Sequence, residues 1–169
     1  DVNAQSILIS NNRNLIRLVN LSLKKQLLKL PKKNIATRSL KNFGLAIFAS
    51  NKKKILECIN TIAPEHLELY TNTNKDLVKG VKNAGSIFIG KFSPEAIGDY
   101  IAGPNHVLPT SGSARFSSGL SVNDFLKRHS VIQITKTGIE RLGSSVINLA
   151  EHENLDGHAN SVKIRLKKR

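Results

Sequence analysis

The chain has 169 residues, 40% of them hydrophobic and 22% charged, with 26 Lys/Arg against 12 Asp/Glu and one cysteine, Cys58. That length suits one domain with an appendage and can bury roughly 70% of the extended surface. No apolar run approaches the roughly 20 residues of a membrane span, and a lone cysteine excludes an internal disulfide or a cysteine zinc cluster.

The net charge of +14 is uneven. Residues 1–60 hold 12 Lys/Arg against 2 acids, a net of +10. Such an excess would suit a nucleic acid or another anionic surface. The 17 Asn point instead to a Lys-, Asn- and Ile-rich composition, and 5% aromatics is too few for base-stacking platforms. The expectation is therefore no nucleic-acid partner, no membrane partner and a reducing, cytoplasmic setting. A chain that starts at Asp1 and has no Met reads as a piece of something longer.

In chain order, Ser6–Ser10 (SILIS) predicts a buried strand. Leu15, Leu18, Val19, Leu23, Leu27 and Leu30 recur at helical spacing over 11–30, and Pro31 closes that helix. Leu45–Ala49 predicts a strand, and 52–62 a helix with Ile55, Ile59 and Ile62 on one face. His66–Tyr70 reads as an extended piece in which Leu67 and Leu69 alternate with polar residues. A short helix over 75–81 and a strand over Ser86–Gly90 follow. This alternation predicts an α/β layer with parallel pairing, resembling part of a Rossmann-like sheet. No Gly-x-Gly-x-x-Gly follows any strand, so the chain shows no dinucleotide fingerprint of its own.

Ser93-Pro94-Glu95 has the form of a helix start, with Ser93 as N-cap, and that helix runs to about Ala102. From Gly103 to Gly119 the chain is a long Gly/Ser/Pro loop, a length that marks a functional segment more often than plain disorder. Ser121…Asp124 has capping-box spacing. Val131–Ile134 predicts a strand, and 137–153 a helix with Ile139, Leu142, Val146 and Leu149 along one face. The last helix starts near Asp156, read as its N-cap, and carries Val162, Ile164 and Leu166. The expected organisation is an α/β domain over 1–120 and a small, mainly helical arm over 121–169.

Chemistry could sit in four places. Glu65 and His66 follow Pro64; a carboxylate beside an imidazole suits acid–base work near neutrality, and a plain surface pair is the alternative. Glu95 and Asp99 share a helical face, as the start of a metal site or as a solvated face. His106, between two prolines in the long loop, is held rather rigidly, and such a residue is as often a structural hydrogen-bond donor. Glu153 and His158 flank the break at 154–157, and the helix N-terminus there favours a neutral, metal-ligating imidazole. Spacing alone does not specify zinc.

Two stretches, IAPEHLEL at 62–69 and AGSIFIGKFSPEAIGDYIAGPNHVLPTSGSARFSSGLSVNDFLKR at 84–128, closely resemble histidinol dehydrogenase. A looser likeness extends over the whole chain, to LAEHENLDGHANSVKIRL at the end. The resemblance implies a C-terminal portion of a protein about two and a half times as long. It implies that His66 is the base acting on the substrate hydroxyl and that Glu65 activates water. Asp99 and His158 would be zinc ligands, His158 reaching across a homodimer. His66, Asp99, Glu153 and His158 would contact L-histidinol, which the family oxidises to L-histidine with Zn2+ and NAD. The family's remaining Gln and His zinc ligands and its NAD contacts have no counterpart in these 169 residues, so the chain alone is expected to be inactive. A basic nucleic-acid-binding module and a non-catalytic remnant are the competing readings.

Overall fold

A computed structural model describes residues 1–167; the last two residues of the expected arm, 168 and 169, lie outside them. The chain forms two compact units, Asp1–Phe125 and Leu126–Arg169. The first holds β1 (Ile7–Ser10), α1 (Arg13–Leu27), α2 (Lys33–Phe43), β2 (Leu45–Phe48), α3 (Lys52–Ile62), β3 (His66–Leu69), α4 (Asn74–Val78), β4 (Ser86–Ile89) and α5 (Glu95–Tyr100). The second holds α6 (Lys136–His152) and α7 (Asp156–Leu166).

The first unit is mixed α/β. Its strands pair as two separate parallel ladders, β1 with β2 and β3 with β4. Parallel neighbours need a crossover between them, which α1–α2 supplies for the first ladder and α4 for the second. In the second ladder His66 stands opposite Ser86 and Glu68 opposite Phe88. The period of two sends Leu67 and Leu69 inward, where they are buried with Ile59 and Leu77. Ile9 of β1 and Ile55, Leu56, Val78, Val81 and Ala84 pack around that cluster. His66 and Glu68 therefore occupy the opposite face of β3.

Local signals explain most element ends. Asn12 and Asn51 cap α1 and α3, their side-chain oxygens accepting from the N–H groups of Leu15 and Lys54 at 3.0 Å each. α3 ends on Ala63, 1% exposed and left-handed at φ 51°, which turns the chain into Pro64-Glu65-His66. Asn60 ties α3 to the loop before β4. Its Nδ2 donates to the Gly80 carbonyl at 3.0 Å, and its Oδ1 accepts from the N–H groups of Lys82 and Asn83 at 2.7 and 3.2 Å.

Several expectations are corrected. α2 falls where the sequence reading leaves the chain unassigned after Pro31, although Ala36, Leu40 and Phe43 recur at helical spacing. The face of α1 that is half-buried is Ile16, Val19, Leu23 and Leu27, while Leu15 and Leu18 are exposed. Ser93 does not cap α5; Pro94 occupies the N-cap and the Ser93 hydroxyl donates to the Ile89 carbonyl at 2.9 Å. Leu155, not Asp156, is the N-cap of α7. Val131–Ile134 forms no strand: nothing pairs with it among the described residues, and Val131 is 86% exposed.

In the second unit α6 and α7 pack as a hairpin around Gly143, where a Cβ would meet Leu166 at 2.7 Å and Val162 at 3.2 Å. Ala150 and Ala159 are buried, Glu151 pairs with Lys163, and Asn154 makes the bend at φ 58°. Leu142, Val146 and Leu149 of the expected stripe stay exposed, as does Ile164. The inward line is Ile139, Gly143, Ile147 and Ala150, because the smallest side chains allow the closest approach.

Asn60→Ala leaves the Lys82 and Asn83 N–H groups and the Gly80 carbonyl without that partner. Urea unfolding of the first unit is expected to show a loss of about 1–3 kcal/mol; Asn60→Asp, which keeps the acceptor, should lose less.

Candidate functional site

β3 opens on His66, and the chain then runs through α4 and β4 before α5 crosses the same face of the ladder. Gly98 decides how closely it crosses. A Cβ on Gly98 would sit 2.5 Å from the Phe88 ring, inside any tolerated contact, so α5 rests directly on that ring. Phe88 in turn lies against the His66 imidazole, ring centroids 5.9 Å apart and tilted by 39°. A second glycine sets the other side. At Gly85 a Cβ would meet the Glu65 carbonyl oxygen at 2.5 Å and the Pro109 ring at 3.0 Å. The Ser86 N–H donates to that carbonyl at 2.9 Å.

Three side chains meet as a result. His66 Nε2 lies 3.3 Å from Asp99 Oδ1 and 3.8 Å from Glu95 Oε1, and one ligating atom from each of the three falls within 4.8 Å of the others. His106 joins from the long loop, its Nδ1 3.0 Å from Asp99 Oδ1. Asp99 is the best covered of these acids, with a side chain 16% exposed. Glu95 and Asp99 shift each other's ionisation in opposite directions. A hydrogen bond to Asp99, burial and the Asp99 charge raise the Glu95 pKa; the bond from Glu95, with further help from His106, lowers that of Asp99. Of the two, Asp99 ionises the more readily, and its carboxylate faces two imidazoles.

Such a donor set fits a zinc-type cation. Two ligands bound at 2.0–2.1 Å on tetrahedral zinc lie about 3.3 Å apart, near the 3.3 and 3.8 Å from His66 Nε2 to Asp99 Oδ1 and Glu95 Oε1. His66, Glu95 and Asp99 are the residues of this unit that could hold one.

Of the residues singled out in sequence, His66 and Asp99 come together, and Glu95 and His106 join them. Glu65 contributes its backbone carbonyl to the ladder, and its carboxylate is not part of the cluster. Glu153 and His158 belong to the second unit, both exposed, on either side of the Asn154 bend, with His158 in the first turn of α7. Sequence reading missed Phe88 and Gly98; the only signal was a glycine inside a short helix, a position that costs stability unless close packing requires it. Two shallow grooves, one along Lys52–Thr61 and one along Leu27–Lys41, lie apart from the cluster.

The cluster defines a class first: a mixed α/β protein with a histidine–carboxylate cluster that could hold a metal ion. The sequence profile of histidinol dehydrogenase matches residues 1–166, and the chain belongs to that family. It is 51% identical over 166 residues to the histidinol dehydrogenase of Pelagibacter ubique, covering 98% of this chain and 39% of that protein. It is 48% identical over 165 residues to that of Caldanaerobacter subterraneus subsp. tengcongensis, covering 98% and 38%. The crystal structure of histidinol dehydrogenase from Elizabethkingia anophelis superimposes with a TM-score of 0.80 at 36% identity, over 98% of this chain and 38% of that one. The chain thus spans about two fifths of the length of the relatives it matches.

Two outcomes test the geometry. Gly98→Ala should cost about 1–3 kcal/mol by overpacking, measured by denaturation. Combining it with Phe88→Leu should recover part of the loss, because the ring is what the new methyl meets. Asp99→Ala removes the acceptor and the charge that raise Glu95, so carboxyl carbon NMR should show the Glu95 pKa falling toward the ordinary range.

Proposed function

We propose that the chain is the C-terminal portion of a histidinol dehydrogenase, oxidising L-histidinol to L-histidine by way of the aldehyde. The observation that carries the reading is the approach of His66 Nε2 to Asp99 Oδ1 at 3.3 Å, across 33 positions of sequence.

In this reading His66 accepts the proton of the substrate hydroxyl, and the carbinol hydrogen leaves as hydride. Glu65 then takes a proton from the water that adds to the aldehyde, and a second hydride leaves the hydrate. Each hydride removes two electrons, four in all. Zinc, when bound, would position the substrate, and two NAD would take up the hydrides. Asp99 would ligate the zinc with His158, and His66, Asp99, Glu153 and His158 would line the substrate. The Asp99 charge between two imidazoles supports that role, since a carboxylate held ionised is the form that ligates. None of the chain's residues is assigned to NAD.

The two parallel ladders are read as parts of one Rossmann-like layer, since Ile9 of β1 packs on the core beneath β3. Residues 121–169 are read as an arm that reaches a second subunit, so that each site takes His158 from the partner in a cytoplasmic homodimer. The exposed Leu142, Val146 and Leu149 of α6 support a covered surface there.

The test is NADH formation with histidinol, zinc and NAD. The chain alone is expected to turn over nothing; rates of about 1–10³ s⁻¹, ordinary for an enzyme, would overturn that expectation. Joined behind the upstream part of the Pelagibacter ubique relative, it should become active, and His66→Asn should then lose about 10²–10⁴-fold in kcat. Mixing Asp99→Asn and His158→Asn versions of that fusion should restore part of the activity; no recovery in proven mixed dimers would overturn the shared site.

A further inference from the structure

α5 has only six residues and carries both carboxylates of the cluster. A helix that short does not hold itself together, and its own N-terminus gives it no help. Pro94 at the N-cap position offers no side-chain acceptor, and the Ser93 hydroxyl is committed to the Ile89 carbonyl. The acceptor comes from another element: Glu68 Oε1 receives the Glu95 N–H at 2.8 Å, across 27 positions of sequence.

Glu68 sits two residues after His66 on β3, and residues i and i+2 of a strand share a face. One face of β3 therefore grips α5 twice, through Glu68 on the backbone at its start and through His66 on the Glu95 and Asp99 side chains. Phe88, opposite Glu68 in the ladder, provides the floor on which Gly98 rests. A peptide N–H bonded to a charged acceptor is among the stronger hydrogen bonds, and here it ties the helix to the strand that bears the imidazole.

We infer that Glu68 is a positioning residue: its side chain caps α5 from β3 and so sets where Glu95 and Asp99 stand relative to His66. Its importance for catalysis rests on the function proposed above; its effect on geometry does not. The amide of Gln keeps the acceptor and loses the charge, while Thr suits a strand and is too short to reach Glu95. The readout is proton NMR of the whole chain: the nuclear Overhauser contacts and ring-current shift that Phe88 imposes on the α-protons of Gly98, and the shift of the Glu95 amide. Glu68→Gln should retain these signals. Glu68→Thr should lose the Phe88–Gly98 contacts and move the Glu95 amide, while the ladder amides of Leu67, Leu69, Ile87 and Ile89 stay protected from exchange. Unchanged Phe88–Gly98 contacts in Glu68→Thr would overturn the inference. So would equal loss in both variants, which would make the charge and not the cap responsible. Loss of ladder protection in Glu68→Thr would also overturn it, by making Glu68 a residue of the strand alone. None of these signals depends on turnover, so their failure is separate from a failure of the proposed reaction.

Discussion

A helix backbone lying directly on an aromatic ring governs the first unit of this protein. With a hydrogen at position 98, α5 settles onto Phe88, and its two acids come level with the imidazole at the start of β3. Any side chain there would lift the helix by the width of a methyl group, and hydrogen-bond distances of 3.0–3.3 Å would open with it. The usual cost of glycine inside a helix, roughly 0.5–1 kcal/mol, is what the fold gives up for that contact. The electrostatics follow from it. Carboxyls brought this near act on one another, raising the Glu95 pKa and lowering that of Asp99, whose Oδ1 lies between two imidazoles.

Period and punctuation made much of the fold legible. Leu67 and Leu69, alternating with His66 and Glu68, announced a half-buried strand, and Ile55 and Ile59 announced the inner face of α3; both reside where the pattern put them. Failures came where the deciding partner is distant in sequence. The β-branched run at Val131–Ile134 has strand propensity but no neighbouring strand among the described residues, and propensity without a ladder does not make a strand. α2 was hidden by its polarity, since only one flank of it meets the rest of the unit. Leu142, Val146 and Leu149 had the spacing of a buried stripe, yet Gly143 and Ala150 took the contact because small residues let two backbones close.

The site was half legible for the same reason. His66 and Asp99 were named by family resemblance, and Glu95 by its place one turn before Asp99. No local rule could show that Phe88 and Gly85 shape the ground beneath them, because each acts through a space defined by two elements. Long-range backbone contacts of this kind leave a glycine as their only mark in the chain.

Ala63 carries a consequence of a different sort. It is 1% exposed and left-handed, at the hinge between α3 and the Pro64-Glu65-His66 corner. Burial forbids a larger side chain there, and among small side chains the positive φ favours glycine. Two requirements with different origins leave two residues out of twenty. Sequence drift around the hinge is thereby funnelled: neighbours on α3 and β3 can exchange one aliphatic residue for another, but this position has almost nowhere to go.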